Sequence, residues 1–530
     1  MASAPGQESP SASAGRLPRA REGRRSALRL CLLLGAEMLA CALFRLPTDL
    51  GFDANAFGDR GDFLSIAYLV GHGSRPAIDF GYHWGLLPIM LAQAWFALFG
   101  ATAQANEAIM VLCTLMVAIG MARMAAALRL GAPGIGVLML AMPFAFPTFT
   151  LTYALEAALL SNALAEQAAQ RRSSALALAT ASCFVNPSMA YLYGFMLLLG
   201  LLWESGWPGE SANRLRGWSV NWPRIGRTVA PAAITGGIAV LILSVVYGPL
   251  ALAKTVLPLA GIAAHHNQAS GFFRGVGRDF WYQPRLGLPF YVLTVVGFWI
   301  AASIWLIVAG LRALRSLASA PRTRGIVGAA DEFVLTCAVL HVSFVTVFFG
   351  SEVSWRYYCY ILVMGAAATS VRDLLSARIA SLLAAMALLG NVSHFAQIAG
   401  QWRSTSPRPV TAGMWASAEE AREWEQVARA VGAEDAGHRA LVLTAMGSAP
   451  VLSPRFAPPF ANHFTPGELM PDQLARLTRE IDGAQRIVVV TSAGFGNMLV
   501  WWPDIQRALD GHELIWKGSS LAVYGPRRPR

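Results

Sequence analysis

Leu30-Cys31-Leu32-Leu33-Leu34-Gly35-Ala36-Glu37-Met38-Leu39-Ala40-Cys41-Ala42-Leu43-Phe44 follows a tail that carries Arg24, Arg25 and Arg29. With its flanks, from Ser26 to Leu46, this stretch has the roughly 20 apolar residues that a helix needs to cross a hydrocarbon core of about 30 Å. Basic residues ahead of it and a polar run behind it, Pro47 to Asp53, mark a first membrane helix entered from the cytoplasm. A cleaved signal would open in the same way, but Cys41 after Met38-Leu39-Ala40 makes a poor lipoprotein cleavage site, so the helix reads as uncleaved. Glu37 sits mid-helix, where an ionisable group points to function or to a partner on another helix.

Similar blocks recur at about 84–101, 106–127, 131–148, 150–168, 173–204, 228–250, 286–311, 332–350, 356–371 and 377–399, which makes about eleven spans. Of the 530 residues 55% are hydrophobic and 14% charged, well below the charged share of about 25% usual in soluble domains. The expected fold is therefore an all-α polytopic membrane protein. A net charge of +11 would suit nucleic acid, but the arginines gather in the tail and in short loops between apolar blocks, where they set topology, and no nucleic-acid partner is expected. Arg214, Arg216, Arg224 and Arg227, then Arg312, Arg315, Arg322 and Arg324, then Arg372 and Arg378 mark three cytoplasmic loops. Walking from these through the spans puts 47–83, 251–285 and everything after about 402 outside. Arg129 and Arg171-Arg172 fall on the outer side in this scheme, against the charge rule. The six cysteines lie in or beside apolar blocks without ligand spacing and read as small hydrophobes. Asn186-Pro187 reads as a helix break or kink.

Three regions follow. Residues 1–25 are too polar to bury a core and are expected to be a disordered cytoplasmic tail. Residues 26–402 form the membrane domain. In 403–530 the charged helical stretch Ser417 to Val431, the apolar runs Ala440 to Thr444 and Arg486 to Thr491, and the helical stretch Pro471 to Ile481 describe a small soluble α/β domain on the outer side.

The first outer loop is the richest in chemistry. It runs Phe57-Gly58-Asp59-Arg60-Gly61-Asp62, then an apolar segment with Phe63, Ile66, Ala67 and Val70 at helical spacing, then Gly73-Ser74-Arg75-Pro76-Ala77-Ile78-Asp79-Phe80 and Tyr82-His83-Trp84-Gly85-Leu86-Leu87. The spacing predicts an amphipathic helix over Asp62 to Gly71, lying along the interface and holding its acids beside the membrane surface.

This loop resembles the opening of the GT-C glycosyltransferases, integral membrane enzymes that include bacterial aminoarabinose transferases and protein O-mannosyltransferases. The family pattern is an Asp after helix one, often Asp-Glu-Gly, then Gly-x-x-Pro-Tyr-x-Asp-Phe, then Gly-Pro-Leu. Asp59-Arg60-Gly61, Gly73 to Phe80 and Gly85-Leu86-Leu87 take the three places. Arg60 stands for Glu, Ala77 for Tyr and Leu86 for Pro, and the match covers about residues 57–100.

The resemblance implies transfer of a sugar from a polyprenyl-phosphate carrier to a glycan, lipid or protein acceptor on the outer face of a bacterial inner membrane. A hydroxyl attacking an anomeric carbon needs a carboxylate to take its proton, and the departing phosphate needs a cation. Asp59 is the expected base, with a helix N-cap as its plain alternative, and Asp62 is the second candidate, otherwise a solvated first-turn carboxylate. Asp79 either positions the acceptor or organises the loop. Arg356, with Tyr357 beside it, would grip phosphate or serve as an interfacial anchor. Arg274 and Arg278, among aromatics in the loop 251–285, and His83 are further candidate substrate contacts. His265-His266 lacks a carboxylate at ligand spacing, so neither a metal nor another cofactor is expected. A transporter or lipid flippase is the rival from another class, although no internal repeat is visible. An envelope-glycan ligase or polymerase is the nearer rival, and a non-catalytic scaffold would leave the acids of the first loop unexplained.

Overall fold

The computed structural model describes residues 16–52, 58–82, 84–145, 150–206, 221–257, 297–319, 326–348, 358–432, 439–444, 453–461, 464, 469, 471–491, 499 and 502–527. Helix α1 (Arg16–Phe44) starts ahead of the Ser26 boundary read from the sequence. Its far end meets the last long helix of the bundle. There Phe44 and Phe395 lie edge to face with centroids 5.4 Å apart, and the Trp402 indole N–H donates to the Phe44 carbonyl at 2.7 Å. The C-terminal domain follows directly, so this is the domain end of the bundle.

From there α2 (Leu46–Asp49) and a 3-10 turn (Gly58–Gly61) lead into α3 (Asp62–Gly71), which has the bounds that the apolar spacing predicts. It buries Phe63, Leu64, Ile66 and Leu69, each contributing about 1.5–3 kcal/mol. Helix α4 (Leu87–Phe99) departs from expectation. Its 13 residues rise about 20 Å, short of a crossing of about 30 Å. It also returns to the end it came from, because Trp95 Nε1 donates to the Ala105 carbonyl at 2.7 Å in the first turn of α5 (Ala103–Leu128). Gln104 in that same turn reaches the Ala412 carbonyl of the C-terminal domain at 3.4 Å.

The stretch 84–101 is thus no crossing, and the directions of α5, α6 and α7 reverse. α5 runs away from the domain end, α6 (Ala132–Ala145) returns and α7 (Leu151–Ala168) runs away again. Arg129 and Arg171-Arg172 then lie at the far end together with Arg312 and Arg372, where the charge rule wants them. That end is tied by ion pairs: Arg171 to Glu166 at 2.6 Å, Arg172 to Glu332 at 2.9 Å and Arg372 to Asp331 at 2.9 Å, with Arg123 also on Glu166.

The stretch 173–204, expected as one span, is two helices, α8 (Arg172–Cys183) and α9 (Pro187–Gly206), separated at the Asn186-Pro187 break. α9 comes back to the arginine end, where Tyr193 donates to Gln167 Oε1 at 3.0 Å. A break inside a bilayer frees backbone carbonyls that water cannot reach. The first loop satisfies them here: Gly85 N–H donates to the Val185 carbonyl and Leu87 N–H to the Phe184 carbonyl, both at 2.9 Å. A side chain at Gly85 would lie 2.0 Å from that Phe184 oxygen, so only glycine permits the approach.

Helices α10 (Trp222–Tyr247), α11 (Pro249–Val256), α12 (Gly297–Ser319), α13 (Ile326–Phe348), α14 (Cys359–Thr369) and α15 (Leu374–Ser404) follow among the described residues. Among the described residues six helices are long and apolar enough to cross a membrane alone: α1, α5, α10, α12, α13 and α15. Shorter apolar helices among the described residues are α3, α4, α14 and the apolar parts of α6 and α9.

The C-terminal domain begins with two short antiparallel strands, β1 (Thr405–Pro407) and β2 (Trp415–Ser417). Ser417 then caps α16 (Ala418–Val431) in a capping box with Glu420. A second sheet contains β3 (Leu441–Leu443), β4 (Ile487–Val490), β5 (His512–Lys517) and β6 (Leu521–Arg527) in the order β3-β4-β6-β5, with β3 and β4 parallel. The parallel pair β3 and β4 is buried throughout, as their unbroken apolar runs predict. Strand alternation sends Val442, Val488 and Val490 into one core with Trp424 and Val427 of α16. Leu443, Ile487 and Val489 enter the other, with Leu477 and Ile481 of α17 (Pro471–Gly483) and Ile505 of α18 (Pro503–Leu509).

Candidate functional site

The turn that carries Asp59 is held from below by its neighbour. Arg60 turns inward and its guanidinium lies between Asp49 of α2, at 2.7 Å, and Glu107 of α5. Arg45 adds a contact to Asp49 at 3.2 Å, and Asn106 Nδ2 donates to the Arg60 carbonyl at 2.7 Å. Two guanidinium groups and two carboxylates thereby neutralise one another out of water, which makes each partner necessary to the others. Arg60, one of the three departures from the expected pattern, is the anchor of the turn. The backbone of Asp59 lies within it, while its side chain falls outside the described residues. Gly61 occupies the N-cap position of α3, so the capping role weighed for Asp59 does not arise.

Asp62 opens α3 and is buried, at 6% exposure. Burial pushes the Tyr82 phenol well above its ordinary range, and the charges of Asp62 and Tyr247 push it further. Tyr82 donates its hydroxyl to the carbonyl of Gly85, the residue that meets the helix break, at 3.1 Å. Asp79 is exposed and engaged. Arg75 reaches it through its backbone N–H at 2.8 Å, Nε at 3.0 Å and Nη2 at 3.1 Å, and these hydrogen bonds hold the carboxyl below the usual range. Lys254 Nζ donates to the Ala77 carbonyl at 3.2 Å in the same bend.

Beneath the loop, one and a half turns into α7, lies a polar cluster that the sequence reading passed over. Asn186, in the helix break, donates through Nδ2 to Glu156 Oε2 at 2.8 Å and to the Tyr358 hydroxyl at 2.9 Å; Tyr358 in turn donates to Glu156 Oε2 at 3.1 Å. Every member is buried, Glu156 to 1% exposure. Aromatic rings line the approach: Trp84 meets Tyr153 edge-on at 5.3 Å, Tyr153 meets Tyr358 at 6.4 Å, and Phe344 lies 4.4 Å from Tyr358. The signal was an acid inside an apolar block, the same signal applied to Glu37. Glu37 itself is half-buried, and its Oε2 has no hydrogen-bond partner among the described residues.

A chain of contacts therefore runs from Tyr82 through Gly85 and Val185 to Asn186 and Glu156. His83, Arg274, Arg278, Arg356 and Tyr357 lie outside the described residues. Tyr358, the covalent neighbour of Tyr357, is anchored at the break.

No family model matches the chain, and no curated protein matches it. Among solved structures the chain is similar to ArnT from Cupriavidus metallidurans bound to undecaprenyl phosphate, at 12% sequence identity and a TM-score of 0.49 over 94% of this chain and 99% of that one. At that distance the likeness is one of general course and adds nothing to the chemistry of the site.

Proposed function

We propose that the chain is a membrane glycosyltransferase of the GT-C kind, moving a sugar from a polyprenyl-phosphate carrier to an envelope glycan, lipid or protein acceptor. What carries this reading is the placement of the acid-bearing first loop. Its turn is pinned by Arg60, its second acid is buried, and its end is stitched into a helix break beside a buried carboxylate and a wall of aromatic rings. In the proposed reaction an acceptor hydroxyl attacks the anomeric carbon and its proton passes to a carboxylate. The bond to phosphate breaks and its electron pair leaves with the carrier phosphate, whose charge needs a cation.

Asp59 is the proposed base and Asp62 the second candidate. Arg356, Arg274 and Arg278 are the proposed phosphate contacts, with Tyr357, His83 and Asp79 at the substrate. Gathering of the arginines at the end opposite the C-terminal domain supports a cytoplasmic N-terminus and an outer domain in a bacterial inner membrane. The test is a comparison of lipid-linked sugars and envelope glycans with and without the gene. One missing sugar, with its carrier-linked precursor accumulating, is the expected result; unchanged glycans in cells that express the gene would sink the reading.

One observation favours a transporter instead. Broken helices beside buried charge form substrate sites in that class, and the α8–α9 break faces Glu156. Substrate passage by the purified protein in vesicles, with no transfer product, would select it.

A further inference from the structure

The C-terminal domain grips the first loop on both sides of its acids. Upstream, Leu50 to Phe52 lie along β2: Phe52 N–H donates to the Trp415 carbonyl at 2.7 Å and Trp415 N–H to the Leu50 carbonyl at 2.8 Å. The Phe52 ring meets Trp424 of α16 edge-on at 5.0 Å. Downstream, the Gln473 side chain of α17 donates through Nε2 to the Asp79 carbonyl at 2.9 Å, and Gln473 is 5% exposed. A primary amide withdrawn from water is costly unless its hydrogen bonds are made, so this burial commits the domain to one placement of the loop. A domain that was only tethered would need no more than its covalent link after α15.

We infer that the C-terminal domain is a working part of the site: it holds the segment carrying Asp59 and Asp62 against the bundle by clamping it at both ends, with Gln473 as the positioning residue of the downstream clamp. The catalytic consequence rests on the transferase reading. Between the clamps the loop rests on the Arg60 anchor and on the buried face of α3, so freeing one clamp shifts the acids without unfolding the bundle. Displacement of a reacting group by about 1 Å can cost on the order of a hundredfold in rate.

The test uses the full-length protein in detergent with Gln473→Met, which keeps the side-chain volume and removes the donor. Amides over 58–82 should exchange with solvent at least about tenfold faster than in the wild type, while amides around Leu477 and Ile481 in α17 stay protected. With a lipid-linked donor, kcat should fall about tenfold or more and KM should stay within about twofold. Unchanged exchange over 58–82 would overturn the clamp, and faster exchange with unchanged kcat would overturn its role in positioning. If α17 itself loses protection, Phe52→Leu replaces the variant, since it loosens the upstream clamp and does not touch the core that contains α17. The exchange measurement needs no turnover, so a wild-type protein without transferase activity would defeat the functional reading and still leave the clamp decided.

Discussion

Arg60 and Asp49 lie 2.7 Å apart, and the same guanidinium bridges to Glu107, so a loop turn, a short helix and a long membrane helix are joined at one buried point. Removing Arg60 takes away the ion-pair partner of Glu107 and leaves Asp49 to Arg45 alone, at a cost of about 3–5 kcal/mol. Arg60→Met should therefore lower the thermal unfolding temperature in detergent markedly. Arg60→Lys should recover only part, because an ammonium lacks the planar fork that reaches two carboxylates. A Met variant as stable as the wild type would show that the cluster is not a structural anchor.

The helix directions predict which ends are reachable. Single cysteines placed at Arg129 and at Gln170 should resist an impermeant thiol reagent added to intact cells, whereas one placed at Ala412 should react. The opposite pattern at Arg129 would restore the stretch 84–101 as a crossing.

Residues with a local signature were legible in the sequence. Helix α3 followed from apolar spacing, β3 and β4 from unbroken apolar runs, α16 from Ser417 and its charged face, and the α8–α9 break from Pro187. The parity of the early helices was not legible, because α4 is as apolar as a crossing helix and differs from one only in length and in where its end returns. Arg129 and Arg171-Arg172, misplaced against the charge rule, were the trace of that error. Glu156 escaped because its partners come from residues 186 and 358, and no spacing in the chain brings those together. Arg60 was read as a departure from a pattern, since its two carboxylate partners are equally remote from it in kind: a four-residue helix and the first turn of α5.

Glu156 should separate packing from chemistry. Glu156→Ala removes the acceptor shared by the Asn186 amide and the Tyr358 hydroxyl, which should cost about 1–3 kcal/mol. Glu156→Gln keeps an acceptor oxygen in place, so its stability should stay near that of the wild type. If the carboxylate takes part in turnover, the Gln variant loses activity while its unfolding temperature holds; equal activity of Gln and wild type would assign Glu156 to structure alone.

Gly85 gives a prediction of opposite logic, since here an added group does the damage. The methyl of Gly85→Ala would meet the Phe184 carbonyl, which is backbone and cannot rotate away. The two hydrogen bonds that seal the helix break would lengthen or be lost, at about 1–3 kcal/mol. Proteolysis or hydrogen exchange should locate the loosening at residues 184–187. An Ala variant with native protection there would mean that the loop approaches the break less closely than described.

Asp59→Asn is the sharpest test of the catalytic proposal. The substitution keeps the size of the side chain and removes its basicity, and the N-cap of α3 is Gly61, so no helix cap is at stake. Arg60, whose pairing fixes the turn, is untouched. Membrane insertion and unfolding temperature should therefore stay near wild type, whereas turnover should fall by about a hundredfold to ten-thousandfold as general-base assistance is lost. Asp62→Asn should be milder in rate, although its burial makes it the more sensitive of the two in stability. If Asp59→Asn transfers sugar at the full rate while Asp62→Asn is inactive and folded, the base is the buried acid at the start of α3. If both retain full activity, the first loop holds no catalytic acid, and the carboxylate must be sought elsewhere, with Glu156 next in line.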